Sequence, residues 1–427
     1  MKEFITNLFN LEVNSISDLE IINENGIVFT LLTLRKTPTE CPHCKQVTKL
    51  VHDYRKRTIN HSILNDMELT LVYNQRRMYC KDCMKSFPEK NPFVSPGRRI
   101  SNYTILHVMR LLKNPEITFS MAAASASLSI PTIERIFDDH AGISTGPFPE
   151  ILCIDEVYAS KYRQKVYACV LVDFETNQIY DLISSRRKDD LYEYFQKIPP
   201  DVRSRVRYIS MDMWRPYKSA AEVFFKNAQV CIDSFHVISF INGKFDAVRK
   251  RIMKEYAKDS DEYYLLKKYN NILRVGYDKI DKDKDIYLTK DTSYRHKGPI
   301  QTRYLIGIML EISPELELSY IIKEGYAEIN RTSTPENIES RLDDFLEFLL
   351  DADIPEFNAV RKTLKSWKPE IINSFNRHNG RRISNGPVES VNSRIKTIKT
   401  TGHGYPYFER FRRRVLYSLS DLSVIKF

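Results

Sequence analysis

Hydrophobic residues along this chain change their period several times, and each change marks a different kind of element. Between residues 67 and 73, Met-Glu-Leu-Thr-Leu-Val-Tyr alternates as a half-buried strand does. From Ser101 the period becomes helical: Tyr103, Leu106, Val108, Met109, Leu111 and Leu112 cluster ahead of Asn114-Pro115, which stops the run. Ser120 to Leu128 forms a second helical unit, and Thr132 to His140 a third with Pro131 near its first turn. Short helix, tight turn, helix is the outline of a helix-turn-helix; a plain three-helix spacer is the alternative. Ala141 to Pro147 reads as a linker.

The centre of the chain carries continuous apolar runs, the pattern of strands buried on both faces. Ile151 to Ile154 runs into Asp155, Arg207 to Met211 into Asp212, and Gln229 to Ile232 into Asp233, so three strands each end in an aspartate. Val166 to Phe174 and Gln178 to Ser184 pair as a hairpin, and a helix follows from Asp189 to Ile198. Strand, strand, strand, helix, strand, helix, strand is the order an RNase H-like mixed sheet requires. In that sheet the first and fourth strands are neighbours, which brings Asp155 and Asp212 together. Two such carboxylates repel unless a divalent cation neutralises them, and hard oxygen ligands suit Mg²⁺. An aspartate at a strand end is also a common turn former, and it is the ordered set that argues for a site.

A third acid comes from far along the chain. Asn385-Gly-Pro-Val-Glu389 opens a helix with Pro near its start, so Glu389 falls in the first turn, where the helix dipole favours an anion. Val388, Val391, Ile395 and Ile398 form its apolar stripe, while Glu389, Asn392, Lys396 and Lys399 repeat the same spacing one residue on. The 177 positions from Asp212 to Glu389 exceed a minimal sheet domain and call for an insertion. Phe235 to Lys258 and the helix after Thr334-Pro335-Glu336, with Ile338, Leu342, Phe345, Leu346 and Leu349 on one face, make it helical.

Cysteine usage and charge sharpen this outline. Four of seven cysteines form two pairs, Cys41-Pro-His-Cys44 and Cys80-Lys-Asp-Cys83, with 35 residues between them, the arrangement of a tetrahedral Zn²⁺ site with a long spacer. His43, His52 and His61 are spare candidate ligands, with a surface or DNA-facing histidine the preferred alternative for each. The 427 residues carry a net charge of +10, which points to an anionic partner such as nucleic acid. The surplus is concentrated: residues 41–110 hold 13 Lys/Arg against 5 Asp/Glu, and residues 376–414 hold 10 against 2. Arg55, Lys56, Arg57, Arg76 and Arg77 lie within the zinc module, and Lys396 and Lys399 on the Glu389 helix, as DNA-binding candidates; Trp214 is a candidate for stacking on an unpaired base. No apolar run is long enough to span a membrane, and the opening MKEFITNLFN lacks the features of a signal peptide, so a cytoplasmic, nucleoid-associated protein is expected.

Cys41-Pro-His-Cys44 with its second pair, Ile154-Asp-Glu156, Asp212-Met-Trp-Arg-Pro-Tyr217, Asp233-Ser-Phe-His-Val237, Gly386-Pro-Val-Glu389, Gly402-His-Gly-Tyr405 and Phe408-Glu-Arg-Phe411 together resemble the bacterial insertion-sequence transposases of the ISL3 type. The resemblance implies a DDE transposase with Asp155, Asp212 and Glu389 as catalytic, Mg²⁺-binding triad (two Mg²⁺, or Mn²⁺), Asp233 and His236 as accessory residues, and one structural Zn²⁺ on Cys41, Cys44, Cys80 and Cys83. It implies double-stranded DNA as partner, both terminal repeats and target, with a homodimer on DNA. The expected domains are a zinc ribbon over 1–98, a helix-turn-helix over 99–145, a discontinuous RNase H-like domain over 146–238 and 376–427, and an all-helical insertion over 239–375. A non-catalytic zinc and helix-turn-helix regulator, or a structure-specific nuclease on the same sheet, are the competing readings.

Overall fold

The computed structural model describes residues 11–62, 67–144, 146–162 and 165–427. The opening decapeptide, and Thr145 within the expected linker, lie outside the described residues. Packing divides the chain into two units, Met1–Gly146 with Ala159–Gln164 and Ser393–Phe427, and Pro147–Tyr158 with Lys165–Asn392.

The first unit begins with a hairpin, β1 (Ile16–Glu24) and β2 (Ile27–Leu34), turned by Asn25-Gly26 with both φ positive, as a two-residue hairpin turn requires. β3 (Val51–Asn60) and β4 (Glu68–Tyr79) form a long antiparallel ladder, and β4 also runs parallel to β2. This ladder occupies the spacer between the two cysteine pairs, so its length is used to build a sheet. Three helices follow, α1 (Asn102–Leu111), α2 (Phe119–Ser125) and α3 (Ile130–His140). Ser101 and Thr118 cap the first two by accepting from the backbone N–H groups of Thr104 and Met121. Ile105, Val108, Met109, Ala122, Ile133 and Phe137 make their shared core.

The end of the chain joins this core. Tyr417, on a helix over Phe408–Leu419, packs among the three helices, and Val424–Ile425 pairs with Ala141–Gly142. The first two residues of the expected linker are therefore a strand, and Gly142 is needed there because a Cβ would meet Val424 Cγ2 at 2.7 Å. The expected grouping put residues 393–427 with the catalytic sheet, whereas they pack with the first unit.

In the second unit, β5 (Ile151–Tyr162), β6 (Lys165–Asp173), β7 (Ile179–Ile183), β8 (Tyr208–Met211) and β9 (Gln229–Ile232) form one mixed sheet in the order β7-β6-β5-β8-β9. β8 runs parallel to both β5 and β9. β5 is longer than the sequence pattern suggests: Asp155 lies inside it, not at its end. The parallel ladder with β8 nevertheless covers only Ile151 to Cys153, so Asp155 sits where that pairing stops.

The insertion begins without a break, because α4 (Ser234–Glu255) runs straight on from Asp233. It is not all helical. Asp285–Leu288 and Gly298–Gln301 form a two-stranded ladder, with Leu288 and Ile300 buried. Alternating Ile286 and Leu288, and Gly298-Pro299 at the start of the second strand, do not suit a helix there. Sheet residues such as Leu152 and Ile209 belong to the same apolar cluster as Leu342, Phe345 and Leu364, so the insertion shares the core of the sheet.

Arg414 is the largest fully buried side chain, 1% exposed, and its guanidinium donates to the carbonyls of Leu112, Asn114 and Ile117. It ties off the end of α1, whose last carbonyls lack helical partners. Arg414→Met, which keeps the bulk and removes the donor shared by these three carbonyls, is expected to cost about 1 to 3 kcal/mol, read as a lowered urea midpoint followed by circular dichroism.

Candidate functional site

The cysteine site is built from two matching turns. Lys45 donates its backbone N–H to the Cys41 carbonyl, Cys41 donates to the Gln46 carbonyl, and Cys80 donates to that of Lys85. Lys45 and Met84, each directly after its pair, have φ of 64° and 58°, the left-handed conformation that folds each pair back toward one point. The Sγ atoms of Cys41 and Cys83 are 3.6 Å apart, those of Cys44 and Cys80 3.4 Å, and all four fall within 4.8 Å of one another. Four sulfurs about 2.3 Å from one tetrahedral ion stand about 3.8 Å apart, so the cluster fits zinc. Although burial raises the Cys41 thiol, the backbone N–H groups of Cys44 and His43 bring it down to about 7. No histidine joins the cluster: His52 faces Asp53 at 3.1 Å, and His61 is buried against Ser101 at 2.9 Å.

Beside the ladder of the same unit lies a cleft of 1660 Å³ lined by Lys36, Lys56, Arg57, Lys90, Arg98 and Arg99 among others. Arg55, Lys56 and Arg57 are exposed on β3, and Arg77 is half-buried near Asp53. Arg76 departs from its expected role. It is buried, pairs with Glu89 at 2.8 Å and donates to the carbonyls of Leu34 and Arg35, so its guanidinium holds the sheet together and is not free for DNA.

The acidic site follows from strand register. Ser210 lies opposite both Cys153 and Cys231, and continuing that register by two residues sets Asp155, Asp212 and Asp233 in one row across three parallel strands. Neighbouring strands are about 4.8 Å apart, so side chains of one row meet. Asp155, Glu156 and Asp212 each offer a carboxylate oxygen within 4.8 Å of the others. Burial, and then the charge of Asp212, push the Asp155 carboxyl up to about 7. Burial likewise raises Asp233, which accepts from the backbone N–H of Asn385 at 3.3 Å.

His236 stands with Nε2 2.8 Å from Asp212 Oδ1, and that contact raises its imidazole against the effect of burial. Glu156 pairs with Arg186, whose guanidinium lies between the rings of Tyr167 and Trp214 at 4.5 and 4.8 Å. Trp214 is 39% exposed. Glu389 is exposed in the first turn of α5 (Gly386–Thr401) and stands outside the tight carboxylate group; Lys396 is exposed further along, and both it and Lys399 pack with the first unit. Glu156 was missed by the sequence reading, although it sits next to Asp155 in the same motif.

Metal-sized cysteine and carboxylate groups on a ribbon and a mixed sheet define a zinc-ribbon protein with a separate acidic centre. Residues 152–415 match a family described as Transposase, of the ISL3 type, and residues 37–83 match the zinc-finger of transposase IS204/IS1001/IS1096/IS1165. The chain belongs to this transposase family. It is 20% identical over 387 residues, 87% of this chain and 86% of the relative, to the transposase for insertion sequence element IS1001 of Bordetella parapertussis. Among the described residues, no helix is long and apolar enough to cross a membrane.

Two outcomes are expected. Native protein carries one zinc per chain by elemental analysis, and Cys44→Ser together with Cys80→Ser abolishes it while lowering the melting temperature of the first unit. Without added divalent cation, the raised Asp155 carboxyl makes the folded state bind more protons than the unfolded one between pH 4 and 7. Wild type therefore loses stability as pH rises through that window, by up to about 4 kcal/mol from Asp155, and Asp155→Asn reduces the loss, measured as melting temperature against pH.

Proposed function

We propose that the chain is a DDE transposase that cleaves the ends of an insertion sequence and joins them to target DNA on an RNase H-like sheet. The observation that carries this reading is the meeting of Asp155 and Asp212 on adjacent parallel strands, where burial and the charge of Asp212 raise the Asp155 carboxyl. Oxygen donors in a half-buried acidic group fit a hard cation, Mg²⁺ or Mn²⁺, and two ions are the expected complement. When bound, such cations polarise the scissile phosphate and the attacking oxygen, first of water and then of the freed 3′ end.

The chain's own residues prepare that site. Asp155 accepts a cation only as the carboxylate, so loading improves as pH rises through about 7. His236 fixes the rotamer of Asp212, and Asp233 fixes Asn385 ahead of the helix that brings Glu389. Glu389 sits on the exposed first turn of α5, near enough for its charge to act on Asp233, and on this reading completes the triad when the cation binds. Trp214 offers a face for an unpaired base beside the cut. The cleft of the first unit and the exposed β3 cations grip the terminal repeat, and the pairing of two ends calls for a dimer on DNA.

One observation favours a variant reading, in which Glu156 is the third ligand, because it already stands with Asp155 and Asp212. Cleavage of end-containing DNA with Mn²⁺ separates the two. Asp155→Asn and Asp212→Asn are expected to cut on the order of 100-fold more slowly or worse with unchanged DNA affinity. If Glu389 completes the site, Glu389→Gln falls as far and Glu156→Gln falls less; the reverse order assigns Glu156. Full activity in Asp155→Asn overturns the catalytic reading.

A further inference from the structure

Two side-chain amides, seven residues apart, join the beginning of α5 to the strand that carries Asp155. Asn385 donates from Nδ2 to the Ile154 carbonyl at 3.0 Å, a contact with backbone alone. Asn392 instead donates from Nδ2 to Asp155 Oδ2 at 2.8 Å and to the Glu156 carbonyl at 3.3 Å. It is 6% exposed, and its Oδ1 is buried with no hydrogen-bond partner. The amide cannot simply turn over, because that would set Oδ1 against the Asp155 carboxylate. A buried acceptor left without a donor costs on the order of 1 to 3 kcal/mol, so an apolar residue would serve packing better. A partner that arrives with the cation explains why the amide is there.

We infer that Asn392 is a positioning residue of the acidic site: its NH₂ group holds the Asp155 carboxylate beside Asp212, and its Oδ1 accepts a hydrogen bond from a hydration-shell water of the divalent cation. Mg²⁺ and Mn²⁺ retain such waters when carboxylates bind them, and groups that orient ligands and waters set affinity along with the ligands themselves. The inference rests on the reading that Asp155 and Asp212 bind a cation.

Mn²⁺ titration of the full-length, zinc-loaded protein, followed by the electron paramagnetic resonance of free Mn²⁺, tests both separately. Asn392→Leu keeps the branched outline of the side chain and removes both hydrogen-bonding groups. It is expected to weaken Mn²⁺ binding about 10 to 100-fold, while the protein stays folded and keeps its zinc. Unchanged Mn²⁺ affinity in folded Asn392→Leu, alongside lost affinity in Asp155→Asn, overturns the role of Asn392 and leaves the cation site standing. Unchanged affinity in Asp155→Asn overturns the cation site and the inference with it. Should Asn392→Leu fail to fold, the isosteric Asn392→Asp decides. It places a carboxylate against Asp155, so it should melt below wild type without Mn²⁺ and recover the difference with it; no recovery overturns the inference.

Discussion

Carboxylates gathered on adjacent parallel strands repel, and burial worsens the cost because a low-dielectric setting disfavours each charge. Everything around Asp155 and Asp212 answers that constraint. The register of three parallel strands brings the row of aspartates together, and burial, with the charge of Asp212 added to it, raises the Asp155 carboxyl to about 7. His236 opposite Asp212, Arg186 opposite Glu156 and the amide of Asn392 on Asp155 each supply positive charge or a donor. On the proposed reading a divalent cation would relieve that repulsion on binding, whereas turn formation alone gives no reason for three aspartates to share one row.

The zinc ribbon meets a different constraint with a similar device. A sheet of a few strands buries little apolar surface, and here the small cluster of Met78 and Phe87 is closed by Cys41 and Cys80. Left-handed residues after each cysteine pair aim four thiols at one point before any ion is considered. The ladder between the pairs then presents Arg55, Lys56 and Arg57 to solvent on a strand whose geometry the cysteine cluster anchors at one end.

Much of this was legible in the sequence because it depends on local chemistry. The doubled cysteine pairs, the start of a helical run at Ser101, and the apolar runs before Asp155, Asp212 and Asp233 all act through near neighbours in the chain. What escaped depends on distant partners. The Asn25-Gly26 turn was a readable hairpin signal that went unused. That β5 continues past Asp155 follows from its pairing with β6, and the short ladder within the insertion is fixed by Leu288 and Ile300 reaching the common core. Glu156 was visible as a residue, but its approach to Asp212 depends on the meeting of two strands some 50 residues apart.

Charge shows most clearly where counting residues stops being physics. The basic surplus of residues 376–414 reads as a surface for a polyanion, yet several of its arginines are spent inside the protein. Arg382 donates to the carbonyls of Ser374 and Asn330 and stacks on Phe375; Arg410 pairs with Glu134 and Asp138; Arg413 reaches the carbonyls of Asp138 and Ala141; Arg414 is buried. Arg76 is spent the same way in the zinc unit. An arginine can satisfy several carbonyls at once, which a lysine at the same place cannot do with a planar fork. Clusters of arginine near chain segments that must be pinned across long sequence distances are therefore structural first, and cations that stay open to solvent are those, such as Lys56 and Arg57, that line the cleft of the first unit.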